Sequence, residues 1–285
     1  MSNRVYSSTK RDQTVNKYSN REFTKSDCIK WLDTLEDESV NLWILDPPYN
    51  VLTGNMTNKN GAAVFHSRYT AKVSPSESDL EKEIVTPRFE VAIPWEEQRK
   101  LDDYKKWCYQ WYCKAHKKLC EDSFMFIFWS MRYLYLAYQI FDVNRVVFWQ
   151  QPNMISSISG DFCYDITPII VVRKGNPRLT KEAGLWDKSS VLNFTKPQGN
   201  YKKDKLTHPT QKPQALLEHL VWLSDVDHEG NVIGDFFAGS GSLLRAVNKA
   251  DVILCDQNRE YYDKFFDINV ADPRVHICKI IDHKK

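Results

Sequence analysis

The segment Asp46-Pro47-Pro48-Tyr49 combines residue types that could bind and activate a planar substrate. It directly follows the apolar run Val40–Leu45, which predicts a short buried strand. The prolines fix the backbone and have no N–H, so their carbonyl oxygens and the Asp46 carboxylate remain as hydrogen-bond acceptors. The tyrosine adds a flat ring face. Acceptors beside a ring suit an exocyclic amino group on a nucleobase, although proline and aspartate are also common in ordinary turns.

A second candidate segment lies far downstream, where residues 231–247 predict a strand, a glycine-containing turn and a helix. Such a turn lets a ligand approach backbone N–H groups at the start of a helix. Asp256 ends the next apolar strand, 21 residues after Asp235, and a carboxylate at this spacing suits ribose hydroxyls in a doubly wound fold. The glycine spacing differs from the dinucleotide fingerprint, which argues against NAD or FAD.

These segments make the chain resemble the β class of S-adenosylmethionine-dependent DNA amino-methyltransferases over roughly residues 22 to 280. Three motifs carry the resemblance, and they are Asp46 through Tyr49, His208 through Pro213, and Asp235 through Ser242. Their order, with the catalytic motif before the cofactor loop, is that of the β class. The resemblance implies an α/β, Rossmann-like class I methyltransferase fold with a mixed, seven-stranded sheet. In that fold the strand near Ile233 would lie beside the strand that ends at Leu45.

The resemblance also implies a reaction, namely methyl transfer to the N6 amino group of adenine in double-stranded DNA. Asp46 and the Pro47 carbonyl would accept the two N–H groups of a flipped-out base, and Tyr49 would stack on its ring beside Pro48. Aspartate in this motif favours adenine within the family. N4-cytosine methylation, an RNA substrate and a non-catalytic nucleic-acid-binding subunit remain as alternatives.

The cofactor implied is S-adenosyl-L-methionine, which leaves as S-adenosyl-L-homocysteine. The resemblance assigns the adenine end to Asp27, the ribose to Asp256 and the methionine end to Asp235 and the loop after it. It also assigns binding of the methionine carboxylate to the segment His208 through Pro213, which contains Thr210 and Lys212. The alternative for Lys212 is an ordinary surface charge before a helix. The predicted cofactor-binding residues are Asp27, Thr210, Lys212, Asp235, Phe237, Ala238, Gly239, Ser240, Gly241 and Asp256.

Charge is unevenly distributed along the chain, although the net charge is only +2. Residues 1–25 hold six Lys/Arg and two acids, and residues 173–212 hold ten Lys/Arg and three acids, which leaves −9 on the remainder. Basic segments on an acidic body suit a polyanion such as DNA. We therefore interpret residues 1–21 as a mobile basic tail, and residues 22–285 as one methyltransferase domain. Within this domain, 51–93 is predicted to be an active-site and DNA loop, and 175–207 a target-recognition insertion.

Composition sets the remaining expectations. The 285 residues include no apolar stretch that approaches a membrane span and no apolar segment after the first residues, so we expect an intracellular protein with no membrane partner. Seven cysteines without paired spacing suggest reduced thiols. Cys113, His116 and Cys120 share a predicted helix face, but a structural zinc site usually needs four ligands, so no metal is expected. Members of the family often dimerise, so a homodimer is expected.

Hydrophobic periodicity predicts the elements that must position these motifs. Residues 101–120 and 131–141 predict helices, and residues 124–129 predict a buried strand. Two further runs, 146–149 and 168–172, predict an antiparallel pair at the side of the sheet. The last strand is predicted at 275–278.

Overall fold

The computed structural model describes residues 20–48, 101–153, 165–197, 211–269 and 271–282. Tyr49, Thr210 and the predicted 51–93 loop lie outside the described residues. So do almost all of the predicted N-terminal tail and residues 198–207 of the predicted recognition insertion.

One mixed sheet runs through the described part of the chain. Its order is β6-β4-β5-β3-β2-β7-β8-β1-β9, and β5 is antiparallel to both of its neighbours while all the other pairs are parallel. The strands are β1 (Arg21–Lys25), β2 (Val40–Leu45), β3 (Leu119–Phe128), β4 (Arg145–Gln150), β5 (Ile166–Lys174), β6 (Val191–Asn193), β7 (Val232–Asp235), β8 (Asp251–Asp256) and β9 (Lys279–Asp282).

The predicted α/β fold with a mixed sheet is confirmed, and so is the predicted neighbourhood of its two central strands. Leu42 of β2 lies in register with Ile233 of β7. The antiparallel pair is also present, with Val147 of β4 opposite Ile169 of β5. The described residues contribute nine strands rather than seven. The two edge strands β6 and β9 are three and four residues long, too short to leave a clear periodic pattern in the sequence.

Helices cover both faces of the sheet, and the two helices predicted at 101–120 and 131–141 are confirmed. The helices are α1 (Cys28–Leu32), α2 (Leu101–Lys118), α3 (Leu134–Ile140) after a 3-10 turn (Met131–Tyr133), α4 (Gln214–Leu223), α5 (Leu243–Ala246), α6 (Glu260–Asn269) and α7 (Pro273–His276). No helix in the described ranges is both long and apolar enough to cross a bilayer.

The last strand lies four residues later than predicted, so the prediction for 275–278 is wrong. Asp272 caps the short helix α7, since its side chain accepts the Arg274 N–H at 3.0 Å and Pro273 occupies the first helical turn. These local signals override the apolar run Val275–Cys278. The chain then enters β9, which pairs with β1.

Two apolar cores pack against the two faces of the sheet. One core includes residues of α4, α5 and α6, and the other includes residues of α1, α2 and α3. In the second core, Trp43 of β2 is fully buried and its indole N–H donates to the Ala115 carbonyl at 3.0 Å. Trp43 also meets the Phe236 ring edge-on, with ring centroids 5.1 Å apart. This packing ties the end of β7 to α2 across β2.

Gly234 in β7 is required by that packing, because a Cβ at this position would lie 2.2 Å from the Trp43 ring. We expect Gly234→Ala to lower the free energy of unfolding by about 1–3 kcal/mol, the usual cost of overpacking a core. Urea unfolding followed by tryptophan fluorescence measures this loss. Gly184→Ala is the control, since its Cβ would make only an ordinary contact with Asp187 at 3.4 Å. Equal stability of the two variants would contradict this explanation.

Candidate active site

Four carboxylates lie in a row along one edge of the sheet. Asp46 follows β2, Asp235 ends β7, Asp256 ends β8 and Asp27 follows β1. These four strands are adjacent and parallel in the order β2-β7-β8-β1, so their carboxyl ends meet at the same edge. Open α/β sheets bind ligands at this edge. The fold therefore brings the two predicted motifs together.

Asp46 forms an ion pair with Lys212, whose ammonium donates to Oδ2 of the carboxylate. The side chain of Lys212 is only 10% exposed and that of Asp46 is 22% exposed. The ammonium also lies 4.9 Å from the centroid of the Phe128 ring, at the end of β3. Lys212 is therefore not the surface charge that the sequence left open. The structure places it on the predicted catalytic carboxylate.

The two prolines of the catalytic motif continue directly from Asp46. Pro47 is buried and Pro48 is half-buried, and neither residue has an N–H to donate. Their carbonyl oxygens are the acceptors that the motif supplies beside the carboxylate. The predicted stacking partner, Tyr49, is the next residue and lies outside the described ranges.

The predicted cofactor loop turns from the end of β7 towards β8. The amide of Ala238 donates to the Cys255 carbonyl at 3.1 Å, and the amide of Gly239 donates to Oδ2 of Asp256 at 2.8 Å. The amide of Gly241 donates to the Ala238 carbonyl at 2.7 Å. The backbone amides of these three residues, which were predicted to face the cofactor, thus donate to acceptors within the protein and stabilise the conformation of the loop.

Position 241 requires glycine for two reasons, its backbone conformation and the lack of room for a side chain. Its φ is +77°, which favours glycine, and a Cβ would lie 2.9 Å from the ring of the fully buried Tyr262. Ser240 beside it is buried. Tyr262 belongs to α6, so the loop conformation is set by packing against the helix that follows β8.

The carboxylate of Asp256 is oriented by two backbone amides. Oδ2 accepts the Gly239 N–H and Oδ1 accepts the Asn258 N–H, each at 2.8 Å. Burial nevertheless raises the pKa of Asp256. Asp27 is also held in place, because Oδ1 caps α1 through the Ile29 and Lys30 amides and Oδ2 accepts from the Gln257 side chain at 2.9 Å. Gln257 had no signal in the sequence beyond its position after the strand.

The Asp235 side chain lies at the centre of the row. Oδ1 accepts the Phe237 N–H at 2.8 Å. Burial raises the pKa of Asp235 well above its usual value, and the neighbouring carboxylates Asp46 and Asp256 raise it further, while the Phe237 bond and Lys212 oppose the shift. A cationic ligand at this edge would relieve both the burial cost and the repulsion.

The aromatic ring of Phe237 packs on α2. Its centroid lies 5.4 Å from that of Trp111 and 5.7 Å from that of Trp107, and 4.7 Å from that of Phe236. These contacts fix a half-buried ring two residues after Asp235. The residues that follow Asp235 are therefore packed against the aromatic side chains of α2.

Asp235 should make the stability of the protein depend on pH when no cofactor is bound. A raised pKa means that the folded state holds the proton more readily, so stability falls as the pH rises from about 4 through the folded pKa. Asp235→Asn removes this loss and keeps the acceptor for Phe237. We expect the variant to melt at a higher temperature than wild type at pH 7, with the difference vanishing towards pH 4. Thermal melts between pH 4.5 and 8 measure it, and a difference independent of pH would refute it.

A second lysine, Lys196, follows the edge strand β6 and lies at the same carboxyl edge of the sheet, on the side of β2 away from β7. It is half-buried, and burial and the charge of Lys212 both lower its pKa. Local sequence does not distinguish Lys196 from the other Lys and Arg residues of the basic segment 173–212, because only the fold brings it near Lys212. Among the residues that the structure describes, no cluster of three or more histidine, cysteine or acidic side chains could hold a metal ion.

Comparison with known proteins gives a consistent picture. A family model described as DNA methylase matches residues 40–267. The type II methyltransferase M.HpaI of Haemophilus parainfluenzae is 24% identical over 268 residues, which cover 84% of this chain and 70% of that protein. The type II methyltransferase M2.DpnII of Streptococcus pneumoniae is 24% identical over 231 residues, 76% of each chain.

Solved structures share the fold. The M1.HpyAVI complex with SAM superposes with a TM-score of 0.54 at 18% identity, covering 86% of this chain and 97% of that one. The cytosine-N4-specific PvuII DNA methyltransferase superposes with a TM-score of 0.56 at 13% identity, covering 92% and 98%. At such identities the likeness extends to the architecture alone.

Proposed function

We propose, on the premise that this chain belongs to the DNA methylase family of N6-adenine and N4-cytosine enzymes, that it methylates the N6 amino group of adenine in DNA. Its methyl donor is S-adenosylmethionine, the cofactor of that family. The observation that carries the proposal is the position of Asp46, Pro47 and Pro48 beside Asp235 and Asp256 at one edge of the sheet.

The residues present fit this cofactor. Asp235 has a raised pKa because it is buried among other carboxylates, so a ligand with an ammonium and a sulfonium group suits this position. Asp256 is held by two amides at the end of β8, where it would bind the ribose hydroxyls, and Asp27 borders the adenine end. When bound, the cofactor supplies an electrophilic methyl group.

Asp46 and Pro47 would activate the acceptor amine. The lone pair of an exocyclic amine is delocalised into the ring, so the nitrogen is a poor nucleophile. A carboxylate oxygen of Asp46 and the Pro47 carbonyl accept its two N–H groups, which favours a tetrahedral nitrogen with a localised lone pair. Asp46 is also placed to receive the proton that this nitrogen loses. Holding the amine at the cofactor edge supplies the remaining advantage through proximity.

The target base would have to leave the duplex to reach these acceptors. The Asp46 side chain is only 22% exposed and lies at the carboxyl edge of the sheet, so a base stacked within a duplex would not reach it. We therefore propose base flipping, as in other enzymes that act on a base. A flipped base would enter on the side of β3 and β5, opposite the cofactor residues.

The experiment that tests the proposed function is product identification. The purified protein is incubated with duplex DNA and S-adenosylmethionine, and the DNA is digested to nucleosides for mass spectrometry. N6-methyldeoxyadenosine is the expected product. N4-methyldeoxycytidine would transfer the proposal to the other branch of the family. Unmodified DNA, with cofactor and DNA both bound, would indicate a non-catalytic subunit. Single-stranded DNA and RNA as competitors establish the substrate class.

A further inference from the structure

The main chain around Lys196 is fixed at the edge of the sheet that holds Asp46. The side-chain amide of Asn153 donates to the Lys196 carbonyl and accepts the Lys196 N–H, both at 2.8 Å. Two residues earlier, the Phe194 carbonyl accepts the indole N–H of Trp149 at 2.7 Å. This part of the basic segment is therefore anchored to β4 and the residues that follow it.

The same segment is packed against the helix that follows Lys212. The Phe194 ring lies 5.4 Å from the His219 ring of α4, and α4 begins two residues after Lys212. This contact holds the segment before Lys196 against the helix that follows Lys212, and the charge of Lys212 lowers the pKa of Lys196.

Lys196 occupies an electrostatically costly position. Lys212 is neutralised by Asp46, whereas the Lys196 ammonium has no carboxylate partner among the described residues. It is also half-buried, so water solvates it incompletely. Burial and repulsion by Lys212 lower its pKa, which means that both oppose its charge. A cation without a carboxylate partner, at the edge of the sheet where α/β folds bind ligands, is a candidate for an anion-binding site, and an anion would stabilise it.

The order of the strands identifies the anion. The cofactor residues Asp235, Asp256 and Asp27 lie on one side of Asp46, along β7, β8 and β1. Lys196 comes from the opposite side, beyond β4 and β5, where the base would enter. If the base enters on that side, as proposed above, an anion there would come from the nucleic acid. The anion available there is a backbone phosphate.

We propose that Lys196 binds a DNA backbone phosphate next to the flipped target nucleotide. This inference rests on the proposed function, since it needs DNA in the cleft. The contact would fix the position of the backbone while the base is extruded, and it would carry no sequence information. Lys196 is thus a DNA-positioning residue in the basic segment. It does not touch the reacting amine.

The test compares three variants in DNA binding by fluorescence anisotropy, with S-adenosylhomocysteine present and salt varied. Lys196→Met is expected to weaken binding to a mixed-sequence duplex about tenfold, the value of one charged hydrogen bond. The slope of log Kd against log salt should fall by about one, as for one lost phosphate contact. Lys196→Arg should retain most of the affinity. Lys188→Met, at an exposed lysine of the same segment, is the control and should change Kd less than twofold.

Steady-state kinetics separate positioning from folding. Lys196→Met should raise the KM for DNA about tenfold and leave kcat at saturating DNA within about twofold, with an unchanged melting temperature and S-adenosylhomocysteine affinity. In a duplex whose methylated position is known, the phosphate next to the target nucleotide can be replaced by a neutral methylphosphonate. This replacement should weaken binding by wild type and leave binding by Lys196→Met unchanged.

Two results would overturn the inference. The first is that Lys196→Met binds DNA with the same Kd and the same salt slope as wild type. The second is that Lys196→Met binds DNA normally but binds S-adenosylhomocysteine more weakly, which would place the cofactor carboxylate on Lys196. The proposed function is judged separately. If wild-type protein methylates no base but the salt slope of Lys196→Met still shows one lost phosphate contact, the phosphate site is supported and the proposed methyl transfer is wrong.

Discussion

Replacing Asp46 with alanine is expected to reduce kcat by about 10³-fold, because the acceptor amine loses the carboxylate that localises its lone pair and takes its proton. S-adenosylmethionine should still bind with nearly unchanged affinity, since Asp235, Asp256 and Asp27 lie at the ends of the other strands β7, β8 and β1. Asp46→Asn keeps the shape and one acceptor oxygen, and its kcat should lie between those of alanine and wild type. Single-turnover methylation with labelled cofactor and isothermal titration measure the two quantities.

The control for this variant is Asp33→Ala. Asp33 also pairs with a lysine, Lys114, but the pair lies away from the carboxylate row and the Asp33 side chain is 57% exposed. Its loss should change neither kcat nor cofactor affinity, because an exposed ion pair contributes little. If folded Asp46→Ala protein no longer bound S-adenosylmethionine, the role assigned to Asp46 would be wrong.

Replacing Lys212 with methionine should lower kcat about 10- to 100-fold, because the Asp46 carboxylate loses the cation that fixes Oδ2. The free energy of unfolding should also fall, on the order of 2 kcal/mol, since a mostly buried carboxylate loses the lysine of its ion pair. Lys212→Arg should restore part of the activity. Methylation kinetics and urea unfolding measure these effects.

The Lys212→Met variant also distinguishes two roles for Lys212, which are positioning Asp46 and binding the methionine carboxylate of the cofactor. If it acts through Asp46, S-adenosylmethionine affinity stays within about threefold of wild type and the effects of Asp46→Asn and Lys212→Met on kcat are strongly non-additive. If it binds the methionine carboxylate, as the family resemblance implies, cofactor affinity falls and the two effects add. The observed ion pair favours the first result.

The carboxylate row along the sheet edge illustrates how far sequence reasoning reaches. Asp46, Asp235 and Asp256 each end an apolar run, and parallel strands bring such ends to one edge. The prediction that β2 and β7 are neighbours came from the family resemblance, and the register of Leu42 with Ile233 confirms it. The failure at Val275–Cys278 has a local cause, because Asp272 and Pro273 start a helix where the apolar pattern indicated a strand.

The two lysines illustrate what sequence reasoning cannot reach. Lys212 lies 166 positions from Asp46, and Lys196 is one of ten cations in a segment without periodicity. Side-chain pairing across such separations depends on how α4 and the segment after β6 pack on the sheet. No local propensity encodes that packing.

By itself, the sequence determined the order of the two motifs and the carboxylates that end the central strands, because strand periodicity and turn chemistry are local properties. The fold class came from the family resemblance that those motifs carry. Only the tertiary structure decided that Lys212 neutralises Asp46, that Gly234 is required beneath Trp43, and that Lys196 is half-buried near a second cation. The physical reason is that burial and charge pairing are properties of the packed chain, since both depend on which distant segments exclude water from the same place.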